Sequence, residues 1–493
     1  MKKTGEKPFF ALLFLLFTGG LFAENASYTY NYDWWTDYQA SPDAYEVGAY
    51  ILGTRFGIGD FRDPQGLFIR ENRIYICDSG NNRIVLIEAL EDGGYELKTV
   101  VSSVRINGAE SPFNYPRDIF ETPEGEIYVA DTNNQRVLRL DRDWGFLAEI
   151  LKPENETIDE TADFLPSKLV VDSAGRLYLQ AVNVNKGLME FDGRGVFQGY
   201  LGANKVSVNL IDFFWKSIAT KEQRAAMELF VPTEYNNLYL DGEDFIYATT
   251  RFSMSALRNG ADVEGEMKKT VRRLNATGKD ILVRSDEFPV IGDYQFANGQ
   301  TSQFIDITAL ENDSYACFDQ SRGRIFVYGN QDAGRILYAF GGLGNREGYF
   351  SAPAALDHLG FSLFALDARM GSLTRFDLTG YGELINAALA EYKEGRFDES
   401  ARLWEETLVV NGNYDIAYIG IARAALQKGD YKKAMDYFRL KRFDTGYSKA
   451  FQAYRKQWVE EHLRIILIIL GLLIVVPPAL RFIIQFKREI QEP

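Results

Sequence analysis

The sequence predicts a multidomain chain: an all-β six-bladed propeller, then a small all-α segment, then one transmembrane helix. Three observations predict it. Residues 61–87, FRDPQGLFIRENRIYICDSGNNRIVLI, are rewritten at 113–140 as FNYPRDIFETPEGEIYVADTNNQRVLRL, and weaker copies follow. After Gly380 the apolar pattern changes to a helical period. Near the C-terminus, Ile465 to Leu480 carries no charge. A repeat of roughly 50 residues made of short strands cannot bury its own apolar face. Copies must stack, and a closed ring of four-stranded sheets is the usual solution at this period.

The chain of 493 residues exceeds one ordinary core. Its 28 tyrosines and 35 phenylalanines, within 46% apolar content, supply a large interior. A net charge of −15 disfavours nucleic acid or anionic lipid as the main partner. Lys2, Lys3 and Lys7 precede an apolar run from Phe9 to Phe17, broken by Gly19-Gly20 and ending at Ala23. This is the form of a signal peptide over residues 1–23, and the run is short for a membrane span. A lead segment, 24–45, follows. Its Trp34, Trp35 and Tyr38 lie outside any repeat and either pack across the ring or bind a ligand; packing is favoured.

The propeller is expected over 46–380. Its copies align on Gly66, Asp118, Lys168, Asn237, Asp306 and Ala355, each just before the first apolar pair of an inner strand. The spacings are 52, 50, 69, 69 and 49. Twelve or thirteen residues later stands Asp78, Asp131, Ala181, Thr250, Asp319 or Asp367. Between them, a turn and an alternating run such as Ile127-Tyr128-Val129 give the strand signal. Insertions explain the long spacings: 207–230 with helical character and 253–268 as a polar loop. Tyr45 to Leu52 is expected to supply the outer strand of the last blade, removing an exposed edge. Cys77 and Cys317 fall in strands of blades that are not neighbours, so buried free thiols are expected.

The pattern resembles the NHL-repeat β-propeller family over about 46–380. Its carriers are Pro64-Gln65-Gly66-Leu67, Pro116-Arg117-Asp118-Ile119, and the runs from Ile74 to Arg83 and from Ile127 to Arg136. Gly341-Gly342-Leu343-Gly344 with Phe350 and Pro353 matches the family's lead-in to a blade. The resemblance is specific in blades one, two, five and six. Blades three and four have Ala181 and Thr250 in place of the Asp. The family implies a six-bladed ring that binds proteins, nucleic acids or small ligands, with a few enzymes among its members. Asp78/Arg83, Asp131/Arg136 and Asp319/Arg324 share a spacing of five. Recurrence from blade to blade reads as a structural device, since a single active site does not need several copies.

From Gly380, Gly395-Arg396-Phe397 recurs as Gly429-Asp430-Tyr431 at an offset of 34. Leu384, Ala388 and Tyr392 share one helix face, as do Tyr418, Ala422 and Leu426. The segment resembles two tetratricopeptide units over about 383–445, within a helical stalk at 381–460. That family implies peptide or protein binding; a rigid spacer is the alternative. The span is expected at 463–484, with 485–493 as a tail. Trp458 before it and Arg481, Lys487 and Arg488 after it suit a cytoplasmic C-terminus and an extracytoplasmic body.

Two histidines, His358 and His462, and two cysteines leave ordinary zinc or copper sites without ligands, and no catalytic residue or cofactor is assigned. His358 is placed in the turn after the sixth inner strand. The candidate ligand site is the propeller mouth, where Arg117, Asp118, Lys168, Asn236, Asn237 and Asp306 are expected to converge on a polar ligand such as a sugar or peptide. A divalent cation there is the hydrolase or lyase alternative, resembling sugar-lactone hydrolases of related fold. The preferred reading is a membrane-tethered binding or scaffold protein with a membrane-associated protein partner. A solute sensor is a third.

Overall fold

The computed structural model describes residues 28–155, 163–182, 184, 187–202, 235–250, 269–284, 288–294, 301–330 and 334–491. The expected signal peptide and both insertions lie outside them. Each repeat folds as an antiparallel sheet because alternating apolar residues bury one face against each neighbouring blade. Blade 1 comprises Gly66–Arg70, Arg73–Asp78, Arg83–Ala89 and Tyr95–Val101. Blade 2 comprises Pro116–Glu121, Ile127–Asp131, Arg136–Leu140 and Phe146–Ile150. Blade 3 comprises Pro166–Val171, Leu177–Ala181, Leu188–Phe191 and Phe197–Leu201. Blade 4 shows Tyr235–Leu240, Ile246–Thr250 and Val271–Leu274 among the described residues. Blade 5 comprises Phe304–Leu310, Ser314–Asp319, Arg324–Gly329 and Ile336–Gly341. Blade 6 comprises Pro353–Leu359, Ser362–Asp367 and Ser372–Leu378, completed by Tyr45–Leu52.

That last pairing, from Ser372↔Leu52 to Leu378↔Tyr45, closes the ring as expected. Each inner strand touches the next around the full circle. Apolar layers fill the wedges between blades: Ile76 and Val85 of blade 1 pack with Leu366 and Leu373 of blade 6, and Cys77 and Ile84 with Val129 and Leu138 of blade 2. Cys77 and Cys317 are buried and free, and burial raises both thiols.

The repeated Asp proves structural. Asp78 Oδ1 accepts from Arg62 N at 2.7 Å, Asp131 Oδ1 from Asn114 N at 2.8 Å, and Asp319 Oδ1 from Gln303 N at 2.8 Å. Asp367 Oδ2 accepts from Ala352 N at 3.1 Å. Each pins the end of a second strand to the lead-in of its own blade. The next residue reaches forward: Ser79 Oγ donates to the Pro116 carbonyl at 2.6 Å, and Thr132 Oγ1 to the Pro166 carbonyl at 2.7 Å.

The lead segment does something the repeat pattern does not announce. Tyr30–Tyr32 pairs with Ala339 on the outer strand of blade 5, and Tyr38–Ala40 pairs with it in turn. Tyr30 and Tyr38 stack edge-to-face at 4.9 Å. Trp34 packs on Phe288 at 5.7 Å, whereas Trp35 stays 65% exposed beneath Arg442.

Among the described residues, five helices follow: α1 (Gly380–Lys393), α2 (Phe397–Val410), α3 (Asp415–Gln427), α4 (Tyr431–Leu440) and α5 (Asp444–Gln491). Positions 34 apart are buried alike: Ile385 and Ile419, Ala388 and Ala422, Ser400 and Ala434, Trp404 and Phe438. Gly395 and Gly429 turn each hairpin at φ +77° and +83°, a region that favours glycine. Gly420 lets α3 approach α2; a Cβ there would collide with the Trp404 indole. The hairpins dock on blades 5 and 6 through one continuous apolar cluster. A buried polar chain threads it: Asn312 Nδ2 donates to Asn386 Oδ1 at 2.6 Å, and Asn386 Nδ2 to the Tyr338 hydroxyl at 2.9 Å.

Among the described residues, one helix is long and apolar enough to cross a membrane. The most apolar part of Asp444–Lys487 has a mean hydropathy of 2.6 and is not buried. Pro477 and Pro478 lie inside it.

Candidate functional site

A cavity of about 810 Å³ runs along the inner strands. Its floor is formed by the residues that align the repeats: Asp118, Lys168, Asn237 and Asp306 all line it and all are buried. Exposed hairpin tips bearing Glu71, Ser173, Glu243 and Glu311 line its other end, so it opens there. The α1 helix stands beside this opening, where Lys393 Nζ donates to the Glu311 carbonyl at 2.8 Å.

Four of the six expected site residues therefore meet, but as a floor. Arg117 and Asn236 do not join them. In blades 2 to 6 the ladder slips by one residue just ahead of the floor position, as between Pro116 and Asp118 or Tyr235 and Asn237. The bulged residue is unpaired and turned off the channel face. Asn236 Nδ2 donates instead to the Phe304 carbonyl of blade 5 at 3.0 Å, and the Arg117 guanidinium lies over the Tyr115 ring at 5.5 Å.

The floor carboxylates are clasps between blades. Asp118 Oδ2 accepts from Leu169 N of blade 3 at 2.9 Å. Asp306 Oδ2 accepts from Leu356 N of blade 6 at 2.8 Å, and its Oδ1 from Ile307 N at 2.7 Å. Blade 6 has only Ala355 at the equivalent position, and Asp357 takes over, accepting from Ile69 N of blade 1 at 2.6 Å. Blade 1 has Gly66, where the chain needs the space: a Cβ would collide with the Arg117 carbonyl.

Lys168 Nζ stands 3.5 Å from Asp118 Oδ1. Burial pushes Asp306 up to about 7, against the pull of Lys168 and of the Leu356 and Ile307 N–H groups. Burial raises Asp118 too, although Lys168 opposes it. Burial alone would lower the Lys168 ammonium, but Asp118 and Asp306 outweigh it and hold it above the ordinary lysine range. The attraction of negative charge on Asp118 and Asp306 is what favours the charged form of this buried lysine. Among the described residues, no three His, Cys, Asp or Glu side chains are grouped to hold a metal ion.

The sequence reading missed the cavity wall. His358 lies within the strand Pro353–Leu359, not in the turn after it, and lines the cavity. Its Nδ1 meets Thr308 Oγ1 at 2.6 Å, and Thr308 Oγ1 lies 3.2 Å from Asp357 Oδ1, to which it can donate. The Tyr239 ring lies 6.1 Å from the imidazole. The signal was available: Tyr239 and Asp357 stand two residues after Asn237 and Ala355, the strand period that returns a side chain to the same face.

No family model and no curated protein sequence matches the chain. Solved structures align with about two thirds of the chain. Virginiamycin B lyase from Staphylococcus aureus is 12% identical, with a TM-score of 0.40 over 68% of this chain and all of that one. The propeller domain of Myceliophteria thermophila Cps50 (Swd1) is 10% identical, with a TM-score of 0.37 over 68% of this chain and all of that one. U3-55K is 11% identical, with a TM-score of 0.38 over 66% of this chain and 80% of that one.

Proposed function

We propose that the chain is a membrane-anchored binding or scaffold protein and not an enzyme. Its NHL-like propeller and tetratricopeptide-like hairpins present a joint surface outside the cytoplasmic membrane, with α5 as the anchor and the C-terminus cytoplasmic. The partner is a protein of an envelope or transport complex. One observation carries this reading: propeller and hairpins share a single apolar cluster threaded by the Asn312–Asn386–Tyr338 chain, and the same helical array runs on into the apolar helix. A recognition surface fixed rigidly to an anchor suits assembly better than turnover. Purification of the full chain in mild detergent is expected to retain a stoichiometric membrane protein; a solitary monomer across several detergents would sink the reading.

A second reading, a hydrolase or lyase acting in the cavity, is favoured by the His358–Thr308–Asp357 arrangement. It sets an imidazole beside a hydroxyl and a carboxylate on the cavity wall, the residue types that acid-base chemistry uses. Metal analysis of the purified protein separates it from the metal-dependent version at Asp118, Asn237 and Asp306. Thermal stabilisation by sugars or peptides would favour the solute-sensor version, because a ligand that binds only the folded state raises stability by mass action.

A further inference from the structure

A second cavity, of about 440 Å³, lies where α5 leaves the helical array. The α4 and α5 helices run antiparallel from a tight turn at Phe443, where Gly446 packs against Phe438. Passing the start of α4, α5 opens a cleft lined by Asp430 and Lys432 on one side and Tyr454, Trp458, Glu461 and His462 on the other. Three residues after His462 the charge-free run begins at Ile465. At 1.5 Å per residue that is ~4.5 Å, so on the membrane-crossing reading of α5 the cleft stands at headgroup level.

Its groups carry both signs of charge. The Lys432 ammonium lies over the Tyr454 ring at 5.7 Å. The His462 ring stacks on Trp458 at 4.5 Å, and its Nδ1 donates to the Trp458 carbonyl at 2.8 Å, which holds the indole in place. Glu461 accepts from Gln457 at 2.9 Å through one oxygen, and its side chain lines the cleft. An aromatic face beside carboxylates suits an ammonium group, and an exposed lysine suits a phosphate. A headgroup with a second negative charge would meet Asp430 and Glu461 instead.

We propose that this cleft seats the headgroup of a zwitterionic phospholipid, the phosphate on Lys432 and the ammonium against Trp458, Glu461 and Asp430. The proposal rests on the membrane-anchored reading above. Full-length protein in detergent, titrated with short-chain phosphatidylethanolamine, phosphatidylcholine and phosphatidylglycerol, is to be followed by native mass spectrometry. Either zwitterionic lipid is expected to bind about fivefold more tightly than phosphatidylglycerol. Trp458→Ala and Lys432→Glu, both exposed on intact helices, are each expected to remove about that factor while the melting temperature holds. Equal binding of all three lipids, a preference for phosphatidylglycerol, indifference to both substitutions, or free phosphoethanolamine binding as tightly as the lipid would each overturn it. Alkaline washing of membranes tests the anchor separately. A chain that stays in the pellet but shows no headgroup preference refutes the cleft alone, whereas a chain that washes off refutes the anchor.

Discussion

Blades 2 and 5 carry the same motif and use it differently. In blade 2, Arg136 Nε donates to Asp131 Oδ2 at 2.8 Å, Asn134 Nδ2 joins it at 2.8 Å, and the pair is sealed from solvent. Blade 1 repeats this with Arg83 and Asp78 at 2.6 Å. In blade 5, Asp319 and Arg324 keep the spacing but part company. The Arg324 guanidinium lies over the Tyr30 ring at 4.7 Å, because the lead segment has added a strand to that blade. Asp293 anchors the added strand through Tyr30 and Tyr32 and pairs with Arg322 at 2.9 Å. Asp319 keeps its backbone donors, Gln303 N and Ser321 N, both at 2.8 Å. The Asp thus serves the lead-in it pins, while the Arg serves whatever lies outside it.

The largest expected effect breaks the pair where it exists. Asp131→Ala leaves the buried Arg136 with only Glu149 at 3.7 Å and the Ser111 hydroxyl at 2.9 Å, and should cost about 3 kcal/mol. Asp319→Ala frees no paired cation and should cost about 1–3 kcal/mol. Urea unfolding of the full chain in detergent measures both; equal losses would refute the distinction.

Next comes pH. Burial pushes Asp319 up to about 6, against the pull of the Gln303 N–H. The folded chain thus holds a proton that the unfolded chain gives up near pH 4. Stability from this group is full below about pH 4 and falls as pH rises to about 6, by on the order of 3 kcal/mol. Asp319→Asn should remove that part of the decline in melting temperature between pH 4 and 6. Identical pH profiles for the two chains would contradict it.

Smaller effects sharpen the same contrast. Tyr30→Phe keeps the ring beneath Arg324 but loses the hydroxyl bond to Asp293, for about 1 kcal/mol. Thr132→Val removes the bond from blade 2 to the Pro166 carbonyl, again for about 1 kcal/mol. Blade 5 has Gln320 at the equivalent place, so Gln320→Ala should cost less than Thr132→Val in the same unfolding assay.

Much of this was legible in advance, and the misses have physical causes. Gly66, Asp118, Lys168, Asn237, Asp306 and Ala355 do mark one layer, because a repeat places equivalent residues at equivalent depth. Arg117 and Asn236 failed because a one-residue bulge is not visible in an alternation count. Tyr239 and Asp357, two residues after Asn237 and Ala355, face the same space as those first positions, whereas His358 falls out of that alternation and reaches the cavity only through the folded strand.

Local periods in neighbouring residues are enough to set the number of blades, the closing strand Tyr45–Leu52, the 34-residue helical repeat and the apolar helix. The folded chain alone makes Tyr30–Tyr32 extend blade 5, turns Arg324 from Asp319 to Tyr30, and bonds Asn386 to Asn312 and Tyr338. Those contacts join segments far apart in the chain, so their geometry is set by packing and leaves no periodic trace.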